Sequence, residues 1–555
     1  LGAIDQLGKR FLKSGRRIVG LQPPAKGRLG FLEQANALGK ARIGSRLQGE
    51  TLRRCIERGR NGDGDLLIIE NQNLGSVRSS FRLLSQLGGS LVVSENNALF
   101  ELDAFNALET IGGSLEIANN HLLARISEFA VLVDVQGILI ENCGLLQELL
   151  GFDQLEVCQG NLQVRSNPVL RVVSGFAVLQ VIGGNLIFGQ NPLLENITGF
   201  DQLFELEDLL IQEHPVLTQI PSFDQVSSIQ TLSLMHNELL PLLQGFSRIT
   251  EISGDLDLFS NHALGYINAF GALRTIAGSF YVVNNDGLLA LQGFNLLDHI
   301  GGDLDISQQA ELYRVQGFSR LKTISGSFYL ESNYSLEEVY GFGTLQTIEG
   351  DFVLSENQIR ILPAFGYLEQ VGGDFQVFSE PQLSQINAFG SLLNVGGFLH
   401  IESNDLLKVV GGFGSLGSIG TDLYIRSNAT LTAIRGFNRL RSVGNDIWFR
   451  DNPLLTSIAG FGELQQVGDD LRIIDHNSLE TITAFESLTS VADILEVRNN
   501  PVLRFCCGLG TLIEVGGYNT ANISANADGC NSVAEIDAAC NATLSDCTPN
   551  CIGYV

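Results

Sequence analysis

Phe437-Asn-Arg-Leu440-Arg-Ser-Val443-Gly-Asn-Asp446-Ile447-Trp448-Phe449-Arg-Asp-Asn452-Pro-Leu-Leu455-Thr-Ser-Ile458-Ala-Gly-Phe461 is one period of this chain. Leu440, Val443, Ile447, Phe449, Leu455 and Ile458 are its apolar positions. Ile447 and Phe449 have the period-two spacing of a strand, and the others recur every three residues, as where a chain turns inward at the corners of a coil. Gly or Asp just before the strand supplies a turn. Outward from this stretch, Phe recurs at 81, 105, 129, 152, 176, 200, 223, 246, 270, 294, 318, 342, 365, 389, 413, 437, 461 and 485, always 23 or 24 residues apart. A fixed period in the twenties means a solenoid, each coil stacked on its neighbours. The expected fold is mainly β: a single right-handed, leucine-rich-repeat-like β-solenoid of about 18–19 coils of 23–24 residues, capped at both ends, a rod roughly 85–90 Å long.

Nine residues before each following spine position runs a polar row. Asn fills it at Asn96, Asn120, Asn167, Asn191, Asn237, Asn261, Asn285, Asn333, Asn404, Asn428, Asn452 and Asn500; Cys143, His214, Gln309, Glu356, Glu380 and His476 are the exceptions. A buried Asn both donates and accepts, so this row reads as a structural ladder satisfying backbone groups where the chain leaves the strand. Of the five N-x-S/T sequons, Asn333 and Asn428 fall in the ladder, where a glycan would clash with burial; Asn196, Asn522 and Asn541 remain glycosylation candidates.

The 555 residues carry a net charge of −27, unevenly divided. Residues 1–60 hold 14 Lys and Arg against 4 Asp and Glu, a net of +10, which leaves the rest at −37. A basic segment beside an acidic body reads as a cap or an assembly arm, with other copies of the same protein as the natural acidic target. Nucleic acid is not expected, because the body would repel phosphates. No run of about 18 apolar residues marks a membrane span. Six of nine Cys lie in the last 50 residues: Cys506, Cys507, Cys530, Cys540, Cys547 and Cys551. Such clustering reads as a disulfide-stapled cap in an oxidising, extracellular or cell-surface compartment, with pairing left open. The expected divisions are 1–60, the basic segment; 61–505, the solenoid; and 506–555, the Cys-rich cap.

The period F-x-x-L-x-x-I-x-G-D-L-x-I-x-x-N-x-x-L-x-x-I-x-G resembles the receptor L-domain repeat, a cousin of the extracellular leucine-rich repeat. Gly529-Cys530-Asn-Ser-Val-Ala-Glu535-Ile536-Asp-Ala-Ala-Cys540, after the Cys506-Cys507 pair, resembles the cysteine cap of long microbial surface proteins with such repeats. The resemblance implies a non-enzymatic receptor, adhesin or wall protein, although the array here runs unbroken where receptors interpose Cys-rich modules.

No catalytic constellation appears. Gly412-Phe-Gly414-Ser-Leu-Gly417 matches a phosphate-loop pattern only by overlying Phe413 and precedes no helical pattern. Asp at 255, 303, 351, 374, 422, 446 and 470 forms a repeated row before the strand, which is architecture rather than one active site; calcium is the candidate ion for it. At the outward strand position stand Asp257, Tyr281, Asp305, Tyr329, Tyr424 and Trp448, with Phe259 and Phe378 two residues beyond that position in their own coils. Of these, Tyr281, Tyr329, Tyr424 and Trp448 are the candidate contacts for a protein or glycan partner. Two functions follow: a structural subunit self-assembling into a surface filament, appendage or wall layer, and alternatively the ligand-binding ectodomain of a receptor or adhesin.

Overall fold

The computed structural model describes residues 41–43, 61–62, 64–78, 81–362 and 365–541. It is a mainly β, parallel solenoid of about 19 turns. Most coils contribute to three parallel ladders. Ile447–Arg450 pairs in register with Leu423–Arg426 before it and Leu471–Ile474 after it. This long sheet reaches from Ala41–Ile43, which lies in the basic segment and pairs with Leu66–Ile68, to Thr520–Ser524 within the Cys-rich tail. The other residues of 1–40 and 44–60, Cys55 among them, lie outside the described residues. A second ladder of two-residue strands, such as Ser442–Val443, runs through 12 strands from Ser228–Ile229 to Ser490–Val491. The third, represented by Ser457–Ile458, comes in shorter runs; at Gln219 it shrinks to an isolated bridge, where Pro221 has no N–H to offer.

The core is a spine. All 18 periodic Phe are buried, and successive ring centroids lie 4.9–6.2 Å apart. Burying each ring contributes about 2–3 kcal/mol, and the near-parallel stacking adds to that. Around the spine lie the Leu, Ile and Val of all three ladders, most with no exposed surface.

The Asn row lies beside the spine, fully buried. Asn261 shows the pattern. Its Oδ1 accepts from Asn237 N (3.2 Å) and Nδ2 (3.2 Å) in the coil before, while its own Nδ2 donates back to Leu234 O (3.0 Å). Where one Asn rung follows another, the amide ties its coil to its predecessor by three such bonds. The ladder is longer than its Phe-flanked part: Asn71 donates to Asn96 at the start, and Asn500 donates to Asn526 at the end. The sequence reading placed Glu356 in the row, and the structure corrects this. Asn357 is the rung, fully buried and donating to Glu380 Oε1, while Glu356 occupies the residue before it. That coil loses its residue between rung and Phe365, so counting back nine from the Phe lands one short.

The residue before every rung is left-handed, with φ from 51° to 64° at Glu70, Glu95, Asn119 and onward to Ala525, and none is Gly. Such a conformation costs of order 1–2 kcal/mol at a non-Gly residue, and the ladder over-determines it. The imperfect rungs show the cost of departing from Asn. His214 Nε2, His476 Nε2 and Glu380 Oε2 are buried without hydrogen-bond partners, and Asn237 Oδ1 is orphaned because His214 N donates to His236 O instead.

The Asp row is a second set of caps. Asp422 Oδ1 accepts from Asp446 N (3.1 Å), Asp446 Oδ1 from Asp470 N (3.0 Å), and Asp470 Oδ1 from Ile494 N (2.8 Å). At the C-terminal end, disulfides Cys506–Cys530 and Cys507–Cys540 fasten the helices Gly510–Val515 and Val533–Cys540 over the last coils. Cys547 and Cys551 lie outside the described residues. Cys143 and Cys158 are free, buried thiols that burial pushes up to about 12, which keeps them protonated and unreactive. Among the described residues no helix is long and apolar enough to cross a membrane.

Candidate binding face

Strand alternation points every second residue of the long sheet away from the spine. In the strands Leu399–Glu402, Leu423–Arg426, Ile447–Arg450 and Leu471–Ile474, the first and third residues are buried in the core. The second residues form an outward row: His400, Tyr424, Trp448 and Arg472, paired in register. The His400 and Tyr424 rings meet edge to face at 5.9 Å, and the Tyr424 and Trp448 rings lie tilted by 40° at 5.3 Å. The Arg472 guanidinium lies 4.7 Å from the Trp448 ring centroid, a cation–π contact that closes the row.

Charge flanks this row: Glu402, Arg426 and Arg498 stand at the fourth strand position, and Glu496 is the next outward residue after Arg472. Glu402 accepts from Arg426 (2.9 Å), and Glu496 accepts from Arg498 (2.6 Å) while lying 3.5 Å from Arg472. Arg472 also pairs with Asp470, which is nearly buried. Burial first, then the Asp422 and Asp446 carboxylates, push the Tyr424 phenol up to about 12, so it stays a neutral donor. Burial holds His400 below the ordinary imidazole range against the pull of Glu402. The Trp448 indole N–H is shielded from solvent and has no acceptor.

The four residues singled out from sequence thus sit on one sheet face but in two groups. Tyr281 and Tyr329 flank Asp305 in register, and the Tyr281 ring lies 5.6 Å from Phe259. Tyr424 and Trp448 lie further along, separated from the first group by the strands carrying Val353, Gln376 and His400. His400 and Arg472 were missed. Reading the outward position in every coil, rather than only where Tyr or Trp fills it, finds both.

Two other sequence candidates are placed by the structure. Asp446, Asp469 and Asp470 bring carboxylate oxygens within 4.8 Å of one another, but Asp446 and Asp470 already cap backbone N–H groups and Asp470 pairs with Arg472, so this cluster is accounted for without calcium. Asn522 and Asn541 are exposed, each bonded to a nearby carboxylate, and Asn196 is half-buried in a third-ladder strand; Asn333 and Asn428 have no exposed surface.

No protein-family model matches this chain, and no curated protein does. Solved structures that resemble it distantly include the following two. One is a TLR13–ssRNA13 complex, 14% identical, aligned over 83% of this chain and 73% of that one with a TM-score of 0.30. The other is a leucine-rich repeat protein from Bacteroides ovatus ATCC 8483, 14% identical, aligned over 64% and 82% with a TM-score of 0.23. Likenesses of this size say nothing about what the chain binds.

Proposed function

We propose that the protein is a non-enzymatic, extracellular recognition scaffold that binds a protein partner through the outward face of coils 399–474. One observation carries this: His400, Tyr424, Trp448 and Arg472 are contiguous at the one strand position where the solenoid asks nothing of the side chain. Trp, Tyr and Arg are the residues that dominate binding energy at protein interfaces. Flanking charges of both signs supply orientation rather than a single-sign field. The two disulfides support an oxidising compartment.

The test compares the full chain with a Tyr424→Ala/Trp448→Ala/Arg472→Ala variant, each fluorescently labelled, for binding to the cells that produce the protein. At least a tenfold loss is expected. Equal binding by both overturns the proposal.

A second reading, self-assembly into a surface filament or wall layer, is favoured by the +10 segment set against the −37 remainder. Light scattering at low and high salt tests it. Assembly that dissolves on screening and vanishes without residues 1–60, yet survives the triple substitution, would put filament formation first.

A further inference from the structure

On another side of the solenoid, a groove of about 1150 Å³ runs beside the third ladder across successive coils. Gln244, Asn268, Gln292, Gln316 and Tyr340 line it, and each stands two residues before its coil's spine Phe, so they form a row along the solenoid axis. Five coils at about 4.8 Å give this row a length of about 19 Å. Elsewhere that position carries Leu150, Ser174, Thr198, Arg435 or Ala459, and only Asn387 is another amide. Four consecutive amides ending in a tyrosine, with Pro221 before them and Pro363 after, occur once in the chain.

The backbone changes at the same place. Ten coils turn the corner before the spine with a left-handed Gly, as at Gly436 (φ 91°) and Gly460 (φ 83°). The Phe itself is left-handed in three consecutive coils, at Phe223 (49°), Phe246 (56°) and Phe270 (63°), and again at Phe485 (75°) near the C-terminal end. Left-handed aromatic residues are strained. In coils 293–341 a left-handed Gly precedes an ordinary Phe, whereas in coils 222–270 the Phe is left-handed, with Gly245 left-handed as well, so the corner changes path between Phe270 and Gly293, and the groove lies across that change.

The lining selects a class of ligand. It contains no Lys, Arg or His, and its one carboxylate, Asp224, is committed to Ser247 N at 3.1 Å. Exposed amides both donate and accept, as hydroxyl groups do. Gln316 Nε2 already donates to Gln292 Oε1 (3.0 Å), so neighbouring amides are aligned along the row. Tyr340 lines the end of the row and is 46% exposed. A peptide adding as a β-strand would have to enter between coils, because the strands run across the groove and not along it.

We propose that this groove binds a linear, uncharged oligosaccharide, with the amide row hydrogen-bonding its hydroxyls and Tyr340 stacking on a sugar face. This goes beyond the recognition face of coils 399–474 and is independent of it.

The experiment is calorimetric titration of the full chain with laminarihexaose, cellohexaose, mannohexaose and chitohexaose, and with hexagalacturonate as the charged control. At least one neutral hexasaccharide is expected to bind. Gly271 lines the groove, and a Cβ there meets nothing within 4 Å, so Gly271→Trp adds bulk from an open position on the groove wall and should abolish binding. Tyr340→Ala should weaken binding at least tenfold, whereas Trp448→Ala should leave it unchanged. Melting curves confirm that each variant is folded; if Gly271→Trp is not, Tyr340→Ala decides. Silence from all four neutral sugars at millimolar concentration overturns the proposal, as does equal binding of hexagalacturonate or full binding by the Tyr340 variant. None of these failures touches the outer-face reading, whose residues are different.

Discussion

Asn452 and Trp448 belong to the same coil, four residues apart, and each is one member of a row that runs along the solenoid. The inner row is nearly uniform: Asn holds it from Asn71 to Asn526, broken only by Cys143, His214, Gln309, Glu380 and His476 among the described residues. The outer row passes through Tyr329, Val353, Gln376, His400, Tyr424, Trp448, Arg472 and Glu496 without repeating a neighbour. Each inner side chain completes hydrogen bonds that its neighbours cannot complete alone, so the same residue is demanded in each coil. The outer position makes no such demand. Repetition in this molecule therefore marks architecture, and its loss marks surface available for recognition.

The sharpest way to break that comparison is a substitution inside. Asn261→Leu removes two accepted bonds and two donated bonds, leaving Asn237 N and Leu234 O buried and unpaired. A loss on the order of 3–5 kcal/mol is expected, read as a lower urea midpoint and as faster amide exchange in the flanking coils. Unchanged protection at Leu234–Asn237 would contradict the ladder's energetic role.

Glu380 tests the ladder's chemistry through pH. Burial pushes its carboxyl up to about 8, although the Asn357 hydrogen bonds pull the other way. Protonated, it has an O–H to donate where Asn donates an N–H; ionised, it has none. Because the folded value is raised, this contribution is complete below about pH 4.5 and is lost as pH rises through about 8. Glu380→Gln should be several kcal/mol more stable than the natural protein near pH 9 and about equal near pH 4.5. Gln309 shows that a Gln fits a rung, its Nε2 reaching Val282 O at 2.8 Å. Identical pH slopes for the two proteins would refute the protonated rung.

The two His rungs respond in the opposite direction and less strongly. Burial pushes His214 and His476 down to about 4. A depressed imidazole contributes fully above about pH 6.5 and is lost as pH falls through about 4. The variant carrying His214→Asn and His476→Asn should keep its urea midpoint at pH 4 while the natural protein loses part of its own.

The smallest effect belongs outside. Trp448→Ala removes a half-exposed ring and its contacts with Tyr424 and Arg472, and should cost less than about 1.5 kcal/mol in stability. A cost matching that of Asn261→Leu would erase the distinction between the rows.

The spine and most of the ladder were legible because Phe and Asn recur at a fixed distance. Asn71 and Asn526 were not, because 25 residues separate Asn71 from Asn96 and 26 separate Asn500 from Asn526, and no spine Phe stands nine residues after either. Asn357 was missed because a period counted between Phe residues does not say where within the coil a residue is absent. The left-handed residue before each rung left no trace, since Glu, Asn, Ser, Gln, His and Asp all occupy it. The binding face was half legible: Tyr424 and Trp448 stand out by type, whereas His400 and Arg472 gain meaning only from the register that stacks them alongside. The groove was invisible, because Gln and Asn two residues before a Phe signal nothing until a change in backbone path opens space above them.

The disulfides also change how the described coils share a load under tension. Pulled lengthwise, the coils are loaded in series, each held to the next by its strands and one ladder amide. Cys506–Cys530 and Cys507–Cys540 lock the final coils against peeling, so under a pull the unstapled coils among the described residues should yield before them. Each yielding coil of 24 residues would then release about 80 Å of chain, making the solenoid a stepwise shock absorber rather than a rigid strut.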